Sequence, residues 1–159
     1  MTAHDLVHIL ASALHALAAV IWVGGMFFAY MIARPSLAVF DPPGPAKFWR
    51  RALQRFFTWV WVAVVILPVS GFIHAGGHGG FAAAGLHVHL MAGLGVVMIG
   101  LFAFLYFVRF PAFARAVDAG NFEAARGPLA KIRHIVLVNM VLGLITVAIG
   151  ASGRYWGLG

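Results

Sequence analysis

The sequence predicts an all-α integral membrane protein, a four-transmembrane-helix antiparallel bundle with its N- and C-termini on the outer (periplasmic) side. Three observations carry this. Hydrophobic residues make up 63% of the chain and charged residues 9%, whereas about a quarter of a soluble domain is charged. The mean hydropathy is +0.97, and four apolar segments are each long enough to cross a bilayer, which takes about 20 residues. The basic residues gather in two connections on one side of those segments, which fixes orientation. The 159 residues make one transmembrane domain, 1–159.

The first span covers about residues 6–33. Its leading MTAHDLVHILASALHAL has no Lys, no Arg and no small-residue cleavage site, so it is read as the start of that span rather than a secretory signal peptide. Within it HALAAVIWVGGMFFAYMIARP places His15 in an apolar run. Hydrocarbon cannot solvate an imidazole, so His15 needs a partner. The connection to the second span passes through DPPGP and ends in KFWRRALQRFF, which reads as a short basic helix on the membrane surface. The second span covers about 56–74, with Pro68 as a kink. A glycine-rich AGGHGGFAAAG leads to the third, 86–108. Pro111 and the DAGN turn then break the helix, Asn121 is a candidate N-cap, and the fourth span covers 135–152.

Arg34, Lys47, Arg50, Arg51 and Arg55 lie in the first-to-second connection, and Arg109, Arg115, Arg126, Lys131 and Arg133 in the third-to-fourth. The opposite side has only Arg154. Both basic connections are therefore expected on the cytoplasmic side. The net charge of +7 reflects this orientation rather than a nucleic-acid partner.

The histidines then fall into a layer. His15 stands 19 residues from Arg34, His74 stands 19 from Arg55, and His89 stands 20 from Arg109. At about 1.5 Å per residue, each lies roughly 29 Å from its anchor, near the outer edge of the hydrocarbon. Helical stripes suggest their facing. His15 shares a stripe with His8, Ala19, Trp22, Met26 and Ala33; His89 with Gly93, Val96, Gly100 and Ala103; His74 with Ser70, Gly71 and Ala63. Small residues permit close approach, so these faces are expected to point inward. His87 aligns with the bulky Met91, Leu94, Met98 and Leu101, a face suited to lipid. Asn139, in line with Gly143, Thr146 and Gly150, is the buried polar group expected of the fourth span.

Histidines on facing helices among small residues suit non-covalent haem b. His15 and His89 are the preferred axial pair, with His74 as substitute or additional ligand and Trp22 near the ring. Arg154 beside Tyr155 and Trp156 is placed to pair with propionates. Copper is the alternative, bound by the same histidine layer with Met26 and Met91 nearby. The chain has no cysteine, which excludes disulfides, thiolate ligands and Cys-attached haem. Asp5, Asp41, Asp118 and Glu123 lie outside the spans, so paired-carboxylate catalysis within the membrane is not available.

The motif HALAAVIWVGG, H-x6-W-x-G-G, resembles the copper-resistance D (CopD-like) inner-membrane family, and LHVHL in span three matches more weakly. It is also similar to the related HemJ-type protoporphyrinogen oxidases, four-helix haem b membrane proteins, a resemblance that implies a haem role for His15. The first expectation is thus a b-type haem protein in the bacterial inner membrane. It would act in one-electron transfer between quinone and a periplasmic partner, or in oxidation within the bilayer. Copper binding or transport is the second, and a packing subunit without a cofactor, or a homo-oligomer, stays open.

Overall fold

The protein is described here by a computed structural model covering residues 2–41, 43–77 and 80–156, with Gly77, Phe81 and Arg154 described in their backbone only. Its regular elements are all helical. Four helices are long and apolar enough to span a membrane: Ala3–Val39, Gly44–Gly77, Leu86–Asp118 and Phe122–Ser152. The chain is a multi-pass membrane protein whose partner is the lipid bilayer. Each expected span lies within one of these helices.

All four helices run further at their basic ends than hydropathy suggested. KFWRRALQRFF is not a separate surface helix but the opening turns of span two. Pro111 does not end span three either. It follows a π-helical segment, Leu105–Arg109, after which the α-helix resumes as Phe110–Asp118. Pro35 follows a second such segment, Phe28–Ala33. A proline pushes on the carbonyl four residues back, here Met31 and Phe107. Both lie inside the wider π turns, which give that carbonyl room. A third π segment, Val20–Gly24, surrounds Trp22.

Asn121 caps span four as expected, and the start of span one carries a cap of its own. Thr2 and Asp5 form a reciprocal capping box at the start of span one. Between spans three and four, Gly120 takes φ +71°, the left-handed conformation a helix stop favours. Asn121 then caps span four, its Oδ1 accepting from the Ala124 amide at 3.0 Å.

Span one packs along span two and span three along span four, while the basic half of span one also reaches span four. Lipid-facing surfaces stay apolar, with Leu10, Val20, Phe28, Val65, Phe72, Val96 and Phe107 all exposed, as a hydrocarbon solvent permits. Where helices meet, large residues on one fit glycines on the other. A methyl on Gly143 would stand 2.8 Å from Val23 and 3.1 Å from Met98, and one on Gly150 would stand 2.9 Å from Met91.

This packing reverses the facing expected of span three. The bulky stripe turns inward: Met98 is buried and Met91 sits on Gly150. His87, expected against lipid, packs on Gly153. The glycine stripe of His89, Gly93 and Gly100 faces outward. The glycines of span four make the room that the small residues of span three were expected to make. On span one, by contrast, Trp22, Met26 and Ala33 are buried as their stripe required.

Candidate functional site

Histidines meet between the first two spans, at the end of the bundle away from the arginines. On span one, His4, His8 and His15 are spaced by 4 and 7 residues and share one helical face. His74 enters from the last turns of span two. Ring centroids are 4.4 Å apart for His4–His8, 6.0 Å for His8–His74 and 6.4 Å for His74–His15. The four imidazoles form a line from the end of the bundle toward its interior.

Each step has a polar fixture. The Nε2 atoms of His4 and His8 are 3.2 Å apart. This is a hydrogen bond in which one ring donates and the other accepts, so the rings must turn before both lone pairs can face one ion. His74 Nε2 lies 3.2 Å from the Ser12 hydroxyl. At the deep end, His15 Nδ1 is 2.8 Å from Ser70 Oγ, and Ser70 is buried. The single Ser70 proton is directed to the carbonyls of Ile66 at 2.6 Å and Leu67 at 3.1 Å. Its oxygen must then accept from His15, which places the imidazole proton on Nδ1 and the free lone pair on Nε2. A hydrogen-bonded Nδ1 of this kind is the usual support of a metal-binding histidine. Gly71, beside Ser70, lets the His15 ring lie close to span two: a methyl there would meet Cε1 at 4.0 Å.

The other predicted residues lie elsewhere. Trp22, two turns below His15, is buried edge-on to Phe102 at 6.1 Å and belongs to the core. His89 is exposed near the start of span three, with Nδ1 3.2 Å from the Gly85 carbonyl. No hydrogen bond or ring contact joins it to His15 among the described residues. Asn139 is buried and ties spans three and four, donating from Nδ2 to the Met98 carbonyl at 3.3 Å. The Arg154 side chain and His78 lie outside the described residues. Among the described residues, no three His, Asp or Glu side chains converge on one point to hold an ion. The line offers pairs and successive steps instead.

Sequence reasoning placed His8 on the His15 stripe but did not join it to His74. His4, Ser12 and the Ser70 bond were also missed. The signal for the first two was the 4-4-3 spacing of His4, His8, Ser12 and His15. Nothing local could reveal Ser70, because its partner lies 55 positions away.

A family model described as copper resistance protein D, CopD, matches residues 50–152. The chain belongs to the CopD family. The match covers spans two to four, including Ser70 and His74, whereas the sequence likeness rested mainly on the H-x6-W-x-G-G of span one. No curated protein and no solved structure matches this CopD-family chain.

Proposed function

We propose that this CopD-family protein binds copper as cargo along the histidine line, taking the ion at His4 and His8 and holding it at His74 and His15. The observation that carries the reading is the run of four imidazoles at ring spacings of 4.4 to 6.4 Å. Imidazole is a good copper ligand in either oxidation state. The family description points to the same metal. With the basic connections in the cytoplasm, the line opens on the periplasmic side of the bacterial inner membrane and receives copper from there.

Haem b, the first expectation from sequence, is the weaker reading. It used His15 and His89 as a pair, yet His89 faces outward, leaving only His74 near enough to be considered with His15. The Ser70-fixed tautomer would serve an iron as well as a copper, so spectra must separate the two. Quinone linkage and an oxidase activity depend on the haem and stand or fall with it.

The test is a copper titration of the purified full-length chain with an absorption spectrum of the same sample. Binding that falls in His4→Ala/His8→Ala and in His15→Ala, in colourless protein, is the expected result. A Soret band lost in His15→Ala would replace copper by haem. Copper binding unchanged in all these variants would remove the line from the function.

A further inference from the structure

The opposite, basic end of the bundle holds an open cleft between spans one, two and four, separate from the histidine line. Its enclosed space is only about 30 Å³, and the remainder is open to the surroundings. Tyr30, Arg34, Trp49 and Arg133 border it among aliphatic side chains, and its accessible walls are apolar. Trp49 is only 7% exposed, yet its indole N–H has no acceptor among the described residues. The Nε of Arg133 is also buried without one. A buried donor without an acceptor is uncommon in a folded protein and calls for an explanation.

The carboxylates of the chain do not supply one. Asp118 is held by Arg50 at 3.1 Å and Glu123 by Arg126 at 3.2 Å. Among the described residues, neither Arg34 nor Arg133 has an acidic partner. Arg34 lies over the Tyr30 ring, its guanidinium 4.9 Å from the centroid. The π segment Phe28–Ala33, which carries Tyr30, leads directly into Arg34. Two arginines and one tryptophan with an unpaired donor thus line a single cleft with no anion of the protein's own among the described residues.

We propose that this cleft binds the phosphate of an anionic membrane lipid. Arg34 and Arg133 engage the phosphate oxygens, Trp49 donates its N–H, and the aliphatic walls take the glycerol end of the chains. Arg34 stands where span one gives way to its basic connection, the level of lipid headgroups, and basic pockets between spans at this level suit phosphate groups. Guanidinium matches phosphate better than an ammonium does, because its donors form a planar fork. A zwitterionic choline lipid fits less well, since it would bring a third cation beside the two arginines. The proposal does not depend on the copper reading.

The test is native mass spectrometry of the full-length chain in detergent with phosphatidylglycerol, phosphatidylcholine or inorganic phosphate added. Phosphatidylglycerol should be retained about tenfold more than phosphatidylcholine, and the Arg34→Ala/Arg133→Ala variant should lose about tenfold of that retention. Trp49→Phe keeps the aromatic bulk and removes mainly the donor; it should lose about threefold. Arg126→Ala, whose cation is exposed and already paired, should retain lipid like the original chain. Equal retention of both lipids, or retention unchanged in both the double variant and Trp49→Phe, overturns the proposal. Inorganic phosphate bound at this cleft without a preference for phosphatidylglycerol overturns the lipid as its source.

Discussion

Replacing Ser70 by alanine tests the reasoning about His15 most directly. The substitution removes the acceptor 2.8 Å from His15 Nδ1 and leaves the imidazole in place. Two effects of different size follow. Side-chain hydrogen bonds between membrane helices contribute on average about 0.6 kcal/mol and at most about 1.7, so the loss of stability should be small. Alanine offsets part of it, because a serine bonded back to its own helix is a mildly unfavourable helix residue. The effect on metal affinity should be larger. Without Ser70 the ring is free to change tautomer and turn, and removal of such a support costs about 10- to 100-fold in metal affinity, or about 1.4–2.7 kcal/mol. The assay is competition with a chromophoric copper(I) chelator, run beside thermal unfolding in detergent. Ser70→Ala should weaken copper binding by at least tenfold with little change in melting, and Ser70→Thr should restore most of the affinity. Normal affinity in Ser70→Ala alongside weakened binding in His15→Ala would refute the tautomer argument.

Three further outcomes are expected. Gly143→Ala places a methyl 2.8 Å from Val23 and 3.1 Å from Met98 and should cost about 1–3 kcal/mol by overpacking. Gly24→Ala meets nothing within 4 Å and should be neutral or slightly stabilising; thermal unfolding of the pair checks both. Asp118→Asn loses the charge of the Arg50 pair at 3.1 Å. The pair is partly exposed, so the cost should stay below about 1 kcal/mol and shrink as salt is raised. His89→Ala should leave copper affinity unchanged because that ring faces outward; a loss there would return a ligand to span three.

How far the sequence could be read depended on where the information lay. The spans were legible because bilayer thickness imposes a length, and Arg34, Arg55 and Arg109 marked where each reaches the interface. The inward stripe of Trp22, Met26 and Ala33 was legible because one helix carries it whole. The facing of span three was not. Either stripe satisfies lipid, and the choice depends on what the neighbour presents, here Gly143 and Gly150 under Met98 and Met91. The same limit separates His15 from its site. The histidine layer already offered His74 as a neighbour of His15, but only the docking of span two identifies Ser70 and prefers His74 to His89. Helix ends failed for a different reason: the π turns before Pro35 and Pro111 carry no composition signal, so span one was ended at residue 33 and Pro111 read as a break.

The histidine line also ends at a wall, and this bears on whether copper crosses the bilayer. Below His15, Trp22 packs on Phe102 at 6.1 Å, Phe102 on Trp61 at 5.1 Å, and Phe57 on Phe110 at 5.0 Å. Rings from three spans thus fill the middle of the bundle. Ser70 and Asn139 are its fully buried polar side chains among the described residues, and Asn139 is engaged with the Met98 carbonyl. In the middle of the bundle no further imidazole or carboxylate follows His15 among the described residues, and an unpaired charge in such surroundings is costly. On the copper reading, the line in this conformation is a binding site with one open end. Sealed vesicles carrying the oriented protein should therefore take copper onto the protein without delivering it to the lumen. Sustained delivery by the unaltered chain would mean that Trp22 swings aside during the cycle. The π segment Val20–Gly24, which carries Trp22, would then be the place to look for a second arrangement.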